Sequence, residues 1–148
     1  MTKVALVGYG YWGPNVAKQL YNNPEVDFWG ICDKKEDRLA KAKRIYVNEL
    51  QYTTQYDDVL NDNSIEAVAL AVETSAHFEI AKRAIEAGKH VYVEKPFTST
   101  SKEAEELRVL AGKRNRIIHV DHIMMYHPYI QKIKQLYDSG EIGDIIYF

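Results

Sequence analysis

The sequence predicts a doubly wound, parallel α/β sheet, on three observations. Short apolar runs alternate with amphipathic helical segments from the first residues onward. One run, Ala67-Val68-Ala69-Leu70-Ala71, is unbroken by charge, as a central strand buried on both faces requires. A glycine cluster, Gly8-Tyr9-Gly10-Tyr11-Trp12-Gly13, follows the first run directly and opens the first helix.

Taken in order, Lys3 to Val7 is a short buried strand, and a helix runs from about Pro14 to Tyr21. Pro14 suits a first helical turn, where its missing N–H costs nothing. Val26 to Cys32 is the second strand, and Asp37 to Tyr46 carries Leu39, Ala42, Ile45 and Tyr46 at helical spacing. Thr54 with Asp57 predicts a capped short helix ending near Leu60. Ile65 to Val72 is a strand, His77 to Ala87 a helix stopped by Gly88, and His90 to Val93 a strand. Thr100 and Glu103 form a capping box for a helix with the stripe Ala104, Leu107, Leu110 and Ala111, stopped at Gly112. Arg116 to Val120 is a strand, Pro128 to Tyr137 a helix stopped near Gly140, and Asp144 to Phe148 the start of one more strand. That last apolar stub predicts that a longer protein continues beyond it, because exposed apolar strand edges are a liability.

At 148 residues the chain suits one domain with a substantial core. Hydrophobic content of 46% and charged content of 27% are those of a soluble globular protein. A net charge of −2 gives no footprint for nucleic acid or an anionic membrane. The single cysteine, Cys32, rules out an internal disulfide, no apolar run reaches membrane-span length, and the start is too short for a signal peptide. A cytoplasmic setting is the expectation. The histidines lack ligand spacing with cysteines or carboxylates, so no metal site is expected.

The glycine cluster has the chemistry of a dinucleotide site. Gly8 allows the tight turn, Gly10 lets backbone approach a pyrophosphate, and Gly13 permits close packing of helix on strand. The pyrophosphate would rest on the free N–H groups of the helix start. Tyr11 and Trp12, inside the turn, are placed to cover the cofactor. Asp33, about twenty residues past the last glycine, is positioned to accept both ribose hydroxyls and favours NAD over NADP. Lys34 and Lys35 beside it leave NADP as the lesser alternative. Flavin adenine dinucleotide and S-adenosylmethionine sites share these features, so the front of the chain alone leaves those ligands open.

The segment Gly88-Lys89-His90-Val91-Tyr92-Val93-Glu94-Lys95-Pro96 ends a strand on a charged pair held against a proline. Carboxyl ends of parallel strands are where open α/β sheets bind ligands. With the glycine turn and Asp33 in one frame, the chain resembles the Gfo/Idh/MocA oxidoreductase family, nearest its sugar and nucleotide-sugar members. The resemblance is carried also by Glu73-Thr74-Ser75-Ala76-His77, and by Val120-Asp121-His122 with Tyr126, Pro128 and Ser139-Gly140-Glu141-Ile142-Gly143.

The resemblance implies a Rossmann-type three-layer domain over residues 1–121. Residues 122–148 would then be the crossover helix and first strand of a second α/β domain, which forms the oligomer interface of a homo-oligomer. It implies an NAD(P)-dependent dehydrogenase of sugar or nucleotide-sugar hydroxyls, with this piece alone inactive. It implies Lys95 as the catalytic proton carrier, Glu94 beside it or on the nicotinamide ribose, and a cis Lys95–Pro96 bond. Glu73, Thr74, Ser75, His77 and Asp121 would line the cofactor side of the cleft. Two departures from the family's pattern stand out: Ser75 where many members carry proline, and no arginine near Met125. A reading of another class is a non-catalytic dinucleotide-binding or redox-sensing module.

Overall fold

The computed structural model describes residues 1–46 and 50–147. Six strands form one sheet: β1 (Thr2–Val7), β2 (Val26–Cys32), β3 (Gln51–Thr53), β4 (Ala67–Leu70), β5 (His90–Val93) and β6 (Ile118–Val120). Their order is β3-β2-β1-β4-β5-β6, and every pairing is parallel. The connecting helices are α1 (Gly13–Asn22), α2 (Glu36–Ile45), α3 (Tyr56–Asn61), α4 (Thr74–Glu86) and α5 (Ser101–Arg114), followed by α6 (Pro128–Asp138).

Two apolar layers hold the helices on the sheet. Val16 and Ala17 of α1 and Leu39 and Ala42 of α2 pack with Leu6, Ile31 and Ala69 on one face. Val59 of α3, Ala81, Ala84 and Ile85 of α4, and Leu107 and Ala111 of α5 pack with Ala5, Val68, Leu70, Val91 and Val93 on the other. Successive strand residues point to opposite faces, so the central strands need apolar residues throughout. The chain winds outward from β1 to β3, returns to β4 beside β1, and winds outward again to β6. That reversal opens a crevice at the carboxyl ends of β1 and β4.

Several local features differ from the sequence reading. β3 was not anticipated, because a three-residue polar edge strand has too few positions to show a period. Thr54 does not cap α3: Gln55 is the N-cap, and Thr53 Oγ1 accepts from the Gln55 N–H at 3.0 Å. α4 begins at Thr74, ahead of the apolar stripe, with the Ala76 N–H bonded to the Glu73 carbonyl. The capping box of Thr100 and Glu103 is present, but α5 continues through Gly112 and ends at Asn115 in the left-handed region (φ 52°). Asparagine tolerates that conformation, so it supplies the stop. Residues 123–126 form a 3-10 turn, and residues 144–147 have no strand pairing among the described residues. A β-prone run becomes a strand only beside a partner. Phe148, part of the same predicted strand, lies outside the described residues.

Candidate functional site

The glycine turn joins β1 to α1, and two of its glycines are there for space. Gly8 has φ +97°, and a Cβ there would lie 2.6 Å from the Ala71 carbonyl oxygen of the strand alongside. A Cβ on Gly13 would lie 2.5 Å from the Gly8 carbonyl oxygen. Gly10 is different: its added Cβ would meet only the Arg38 guanidinium, at 3.4 Å. No side chain caps α1 and no acid sits in its first turn, so the positive helix end is left for an anion. Tyr11 is fully exposed over this turn and Trp12 is partly so.

Asp33 is buried at the end of β2 and organises the turn. Its Oδ2 accepts the Tyr9 N–H at 2.6 Å and an Arg38 N–H at 3.2 Å, and its Oδ1 accepts the Lys35 N–H at 2.8 Å. Lys34 and Lys35 are exposed. Arg38 is the residue that sequence reasoning missed. It lies five positions past Asp33, in the first turn of α2, and covers Gly10. A cation one turn into the helix after a ribose-binding acid was the available signal.

At the end of β4, Glu73 and Ser75 are exposed and Thr74 is half-buried. His77 is fully buried instead of facing the cleft. Its Nδ1 lies 3.0 Å from the Pro96 carbonyl oxygen and 3.2 Å from that of Phe97, and its Nε2 lies 3.2 Å from the Val72 carbonyl oxygen. The ring therefore ties the end of β4 to the segment following Lys95. The Lys95–Pro96 bond is cis, and Lys95 is exposed at the end of β5.

Glu94 is buried beside Asp121, whose N–H bonds the Val93 carbonyl at 2.9 Å and so fixes the two residues side by side. Burial first, and the Asp121 charge second, push the Glu94 carboxyl above its usual range. Tyr92 lies two residues back on the same face of β5, and burial first, with Asp121 second, raises its phenol strongly. Tyr92, Glu94 and Asp121 line a cleft of about 230 Å³ with Trp12, Asn15 and Gln19. Tyr92 was also missed, although its alternation with Glu94 was visible in the sequence. Among the described residues no cluster of three histidine, cysteine or acidic side chains could hold a metal ion. No helix among them is long and apolar enough to cross a membrane.

Residues 2–122 match the family described as the GFO_IDH_MocA oxidoreductase family, NAD-binding Rossmann fold. The chain belongs to this family. It is 36% identical over 148 residues to an uncharacterized oxidoreductase, YhhX, of Escherichia coli K12, covering 96% of this chain and 41% of that protein. It is 29% identical over 146 residues to the NADP(+)-dependent scyllo-inositol 2-dehydrogenase IolW of Bacillus subtilis, covering 97% of this chain and 39% of that protein. The fold superposes with a TM-score of 0.87 on GenD2, from gentamicin A biosynthesis, solved in complex with NAD. There the identity is 28%, with 95% of this chain and 40% of GenD2 covered. The chain thus spans well under half the length of these Gfo/Idh/MocA relatives.

The site fits the group that the family binds. The turn closes this tightly only because Gly8 and Gly13 lack side chains, Gly10 leaves its outer side open but for Arg38, and the α1 terminus is uncapped. Asp33 is held by backbone N–H groups, which fix its carboxylate beside the turn. Burial pushes the Cys32 thiol up to about 12, which leaves it without the thiolate character of a redox-sensing cysteine.

Proposed function

We propose that this chain is the nicotinamide-dinucleotide-binding part of a dehydrogenase acting on a hydroxyl of a sugar or nucleotide sugar. The observation that carries the reading is the arrangement around α1. Asp33 ends β2 on one side of the glycine turn, while Glu94 and Lys95 end β5 on the other. A dinucleotide whose adenosine ribose meets Asp33 and whose pyrophosphate meets the α1 terminus has its nicotinamide half on the Lys95 side. When bound, the nicotinamide accepts or gives the hydride.

The chain's own residues do the rest. Backbone of the Gly8–Gly13 turn holds the pyrophosphate, Asp33 accepts ribose hydroxyls, and Tyr11 and Trp12 shield the turn. Glu73, Thr74 and Ser75 border the nicotinamide side. Lys95 holds and moves the proton of the substrate hydroxyl at Nζ, as its place at an exposed strand end allows. His77 serves this site from beneath, through its carbonyl contacts.

NAD is our preferred cofactor because Asp33 faces the ribose position. Arg38 keeps NADP open, since a guanidinium beside that acid can pair with a 2′-phosphate. Residues 122–148 we read as the crossover into a second domain. Ile123, Met124, Met125, Tyr126 and Tyr129 are all exposed there, and relatives of more than twice this length have chain to cover them. On this reading the 148-residue piece binds dinucleotide but turns over little, and the whole protein is a cytoplasmic homo-oligomer.

The test is titration of the chain with NADH and NADPH, followed on tryptophan fluorescence, with a polyol and sugar oxidation screen on the whole protein. Binding of neither nucleotide, or robust sugar oxidation by the 148-residue piece alone, overturns the corresponding part of the reading.

A further inference from the structure

We infer that His77 is a positioning residue for Lys95: its buried ring ties the Pro96 and Phe97 carbonyls to the end of β4, and so holds the lysine in one place at the cleft. The inference rests on the reading of Lys95 given above and adds what keeps that residue still.

The sheet lets go of the chain just before Lys95. Its last bond to this segment runs from the Glu94 N–H to the Leu70 carbonyl at 3.2 Å. Among the described residues, no backbone-to-backbone hydrogen bond reaches Lys95, Pro96 or Phe97. Pro96 has no N–H to offer in any case. One side chain takes over. His77 Nδ1 lies 3.0 Å from the Pro96 carbonyl oxygen and 3.2 Å from that of Phe97, while Nε2 lies 3.2 Å from the Val72 carbonyl oxygen.

The ring stands on a firm base. His77 is the fourth residue of α4, whose Ala81, Ala84 and Ile85 are fully buried against β4 and β5. With 1% of its surface exposed, the imidazole is shut away from bulk solvent. An apolar side chain would fill that space as well, but it would offer the three carbonyls no donor. Phe97 packs against the same apolar layer. Lys95 is thus bracketed, by the Glu94 ladder bond on one side and by His77 and Phe97 on the other. Its Cα and the direction of its Cβ are fixed, while its ammonium is exposed and free to reach a hydroxyl. A reacting group misplaced by about 1 Å costs on the order of 100-fold in rate.

Nδ1 is the working nitrogen. Two of the three carbonyls and the shortest distance are on its side, so an N–H there serves the Lys95 segment. Nε2 faces only Val72, at the strand end beneath. An asparagine amide reaches about as far from the backbone as Nδ1, and a glutamine amide about as far as Nε2. The two substitutions therefore separate the two edges of the ring.

The test is ¹⁵N relaxation of the 148-residue chain, read at the backbone amides of Lys95 and Phe97 against those of the glycine turn. In the unmodified chain both amides should be as ordered as the sheet, with order parameters of about 0.85. In His77→Ala and His77→Gln they should fall below about 0.6 while the glycine turn keeps its order, and in His77→Asn they should stay high. In the whole protein, turnover of the polyol or sugar that it oxidises fastest should fall roughly 10- to 100-fold in His77→Ala and His77→Gln, and recover most of that in His77→Asn. NADH affinity should stay within about threefold throughout. A purely structural histidine would lower Tm in all three variants and leave the kcat of the folded enzyme unchanged, which overturns the proposal. A loose Lys95 in the unmodified chain, or glutamine rescuing as well as asparagine, overturns it too. Should no variant fold, the unmodified chain decides: a scalar coupling between His77 Nδ1 and the Pro96 carbonyl carbon must be present beside an ordered Lys95, and the absence of either sinks the inference. If NADH does not bind, the cofactor reading fails while the ordering of Lys95 stands; if NADH binds and Lys95 is loose, this inference alone fails.

Discussion

Gly10 and Gly13 sit three residues apart in one turn, yet their substitution should read out differently. An alanine at Gly13 drives its Cβ into backbone, which cannot move without opening the turn. Gly13→Ala is therefore expected to cost about 1–3 kcal/mol of stability, seen as a lower Tm in a thermal melt. An alanine at Gly10 meets only the far end of the Arg38 side chain, which can swing aside. Gly10→Ala should melt like the unmodified chain but lose roughly tenfold or more in NADH affinity, because backbone approach to the pyrophosphate is blocked. Equal melting losses for the two would contradict this division. Sequence spacing alone identified the turn and Asp33, but it could not show that Arg38 folds back over both. That placement depends on where the first turn of α2 points. Arg38→Ala is expected to weaken NADPH binding more than NADH binding, and unchanged selectivity would remove Arg38 from the site. Glu94 carries a pH signature as well. Its carboxyl is raised in the folded chain, so the folded state holds a proton that the unfolded state has already lost. Stability from that proton is full below the usual glutamate range and drains as pH rises through the raised value. Glu94→Gln has no such proton to lose, so its Tm relative to the unmodified chain should climb between pH 4 and pH 8. A constant offset across that range would mean that Glu94 titrates normally.

Among the elements, those with a long period or a reciprocal cap were legible, and those fixed by one residue's conformation were not. The Thr100 and Glu103 box announced the start of α5 because both halves of the cap are side chains at fixed spacing. The end of α5 was misplaced, since the left-handed residue is Asn115 and no pattern of apolar positions marks it. The start of α3 was misplaced by one residue: Thr53, the last residue of β3, makes the turn that Thr54 was expected to make. The difference is testable at the level of each helix. Thr100→Ala removes a hydrogen bond to the Glu103 N–H and should cost about 1 kcal/mol. Thr54→Ala removes no helix cap and should fall within about 0.5 kcal/mol of the unmodified chain. Urea denaturation at fixed pH separates the two. A cost at Thr54 equal to that at Thr100 would restore the sequence-based boundary.

At the scale of the molecule, the sheet reversal between β1 and β4 gives Lys95 its meaning. An exposed lysine at a strand end is ordinarily a solvated charge, worth little to stability. Here it stands at the same edge as the glycine turn, one residue from a buried acid and beyond reach of the ribose end at Asp33. The parallel alternation of strands and helices makes that placement readable in the sequence. What the sequence could not convey is which apolar side chains of the 3-10 turn and α6 stand exposed, because they are recognisable only once the sheet beneath them is closed. The two classes of function separate on Lys95. In a dinucleotide-binding module without chemistry, Lys95→Ala changes neither nucleotide affinity nor anything else the whole protein does. In a dehydrogenase, the lysine acts on a proton that moves only in the transition state, so its loss lowers kcat while cofactor affinity holds. Lys95→Ala is expected to reduce turnover by the whole protein roughly 100- to 10,000-fold, the range for a lost general acid or base. The same substitution in the 148-residue chain should leave its NADH dissociation constant within about threefold, because the phosphate and ribose contacts lie elsewhere. Lost affinity with intact turnover would reverse the assignment and make Lys95 a cofactor ligand.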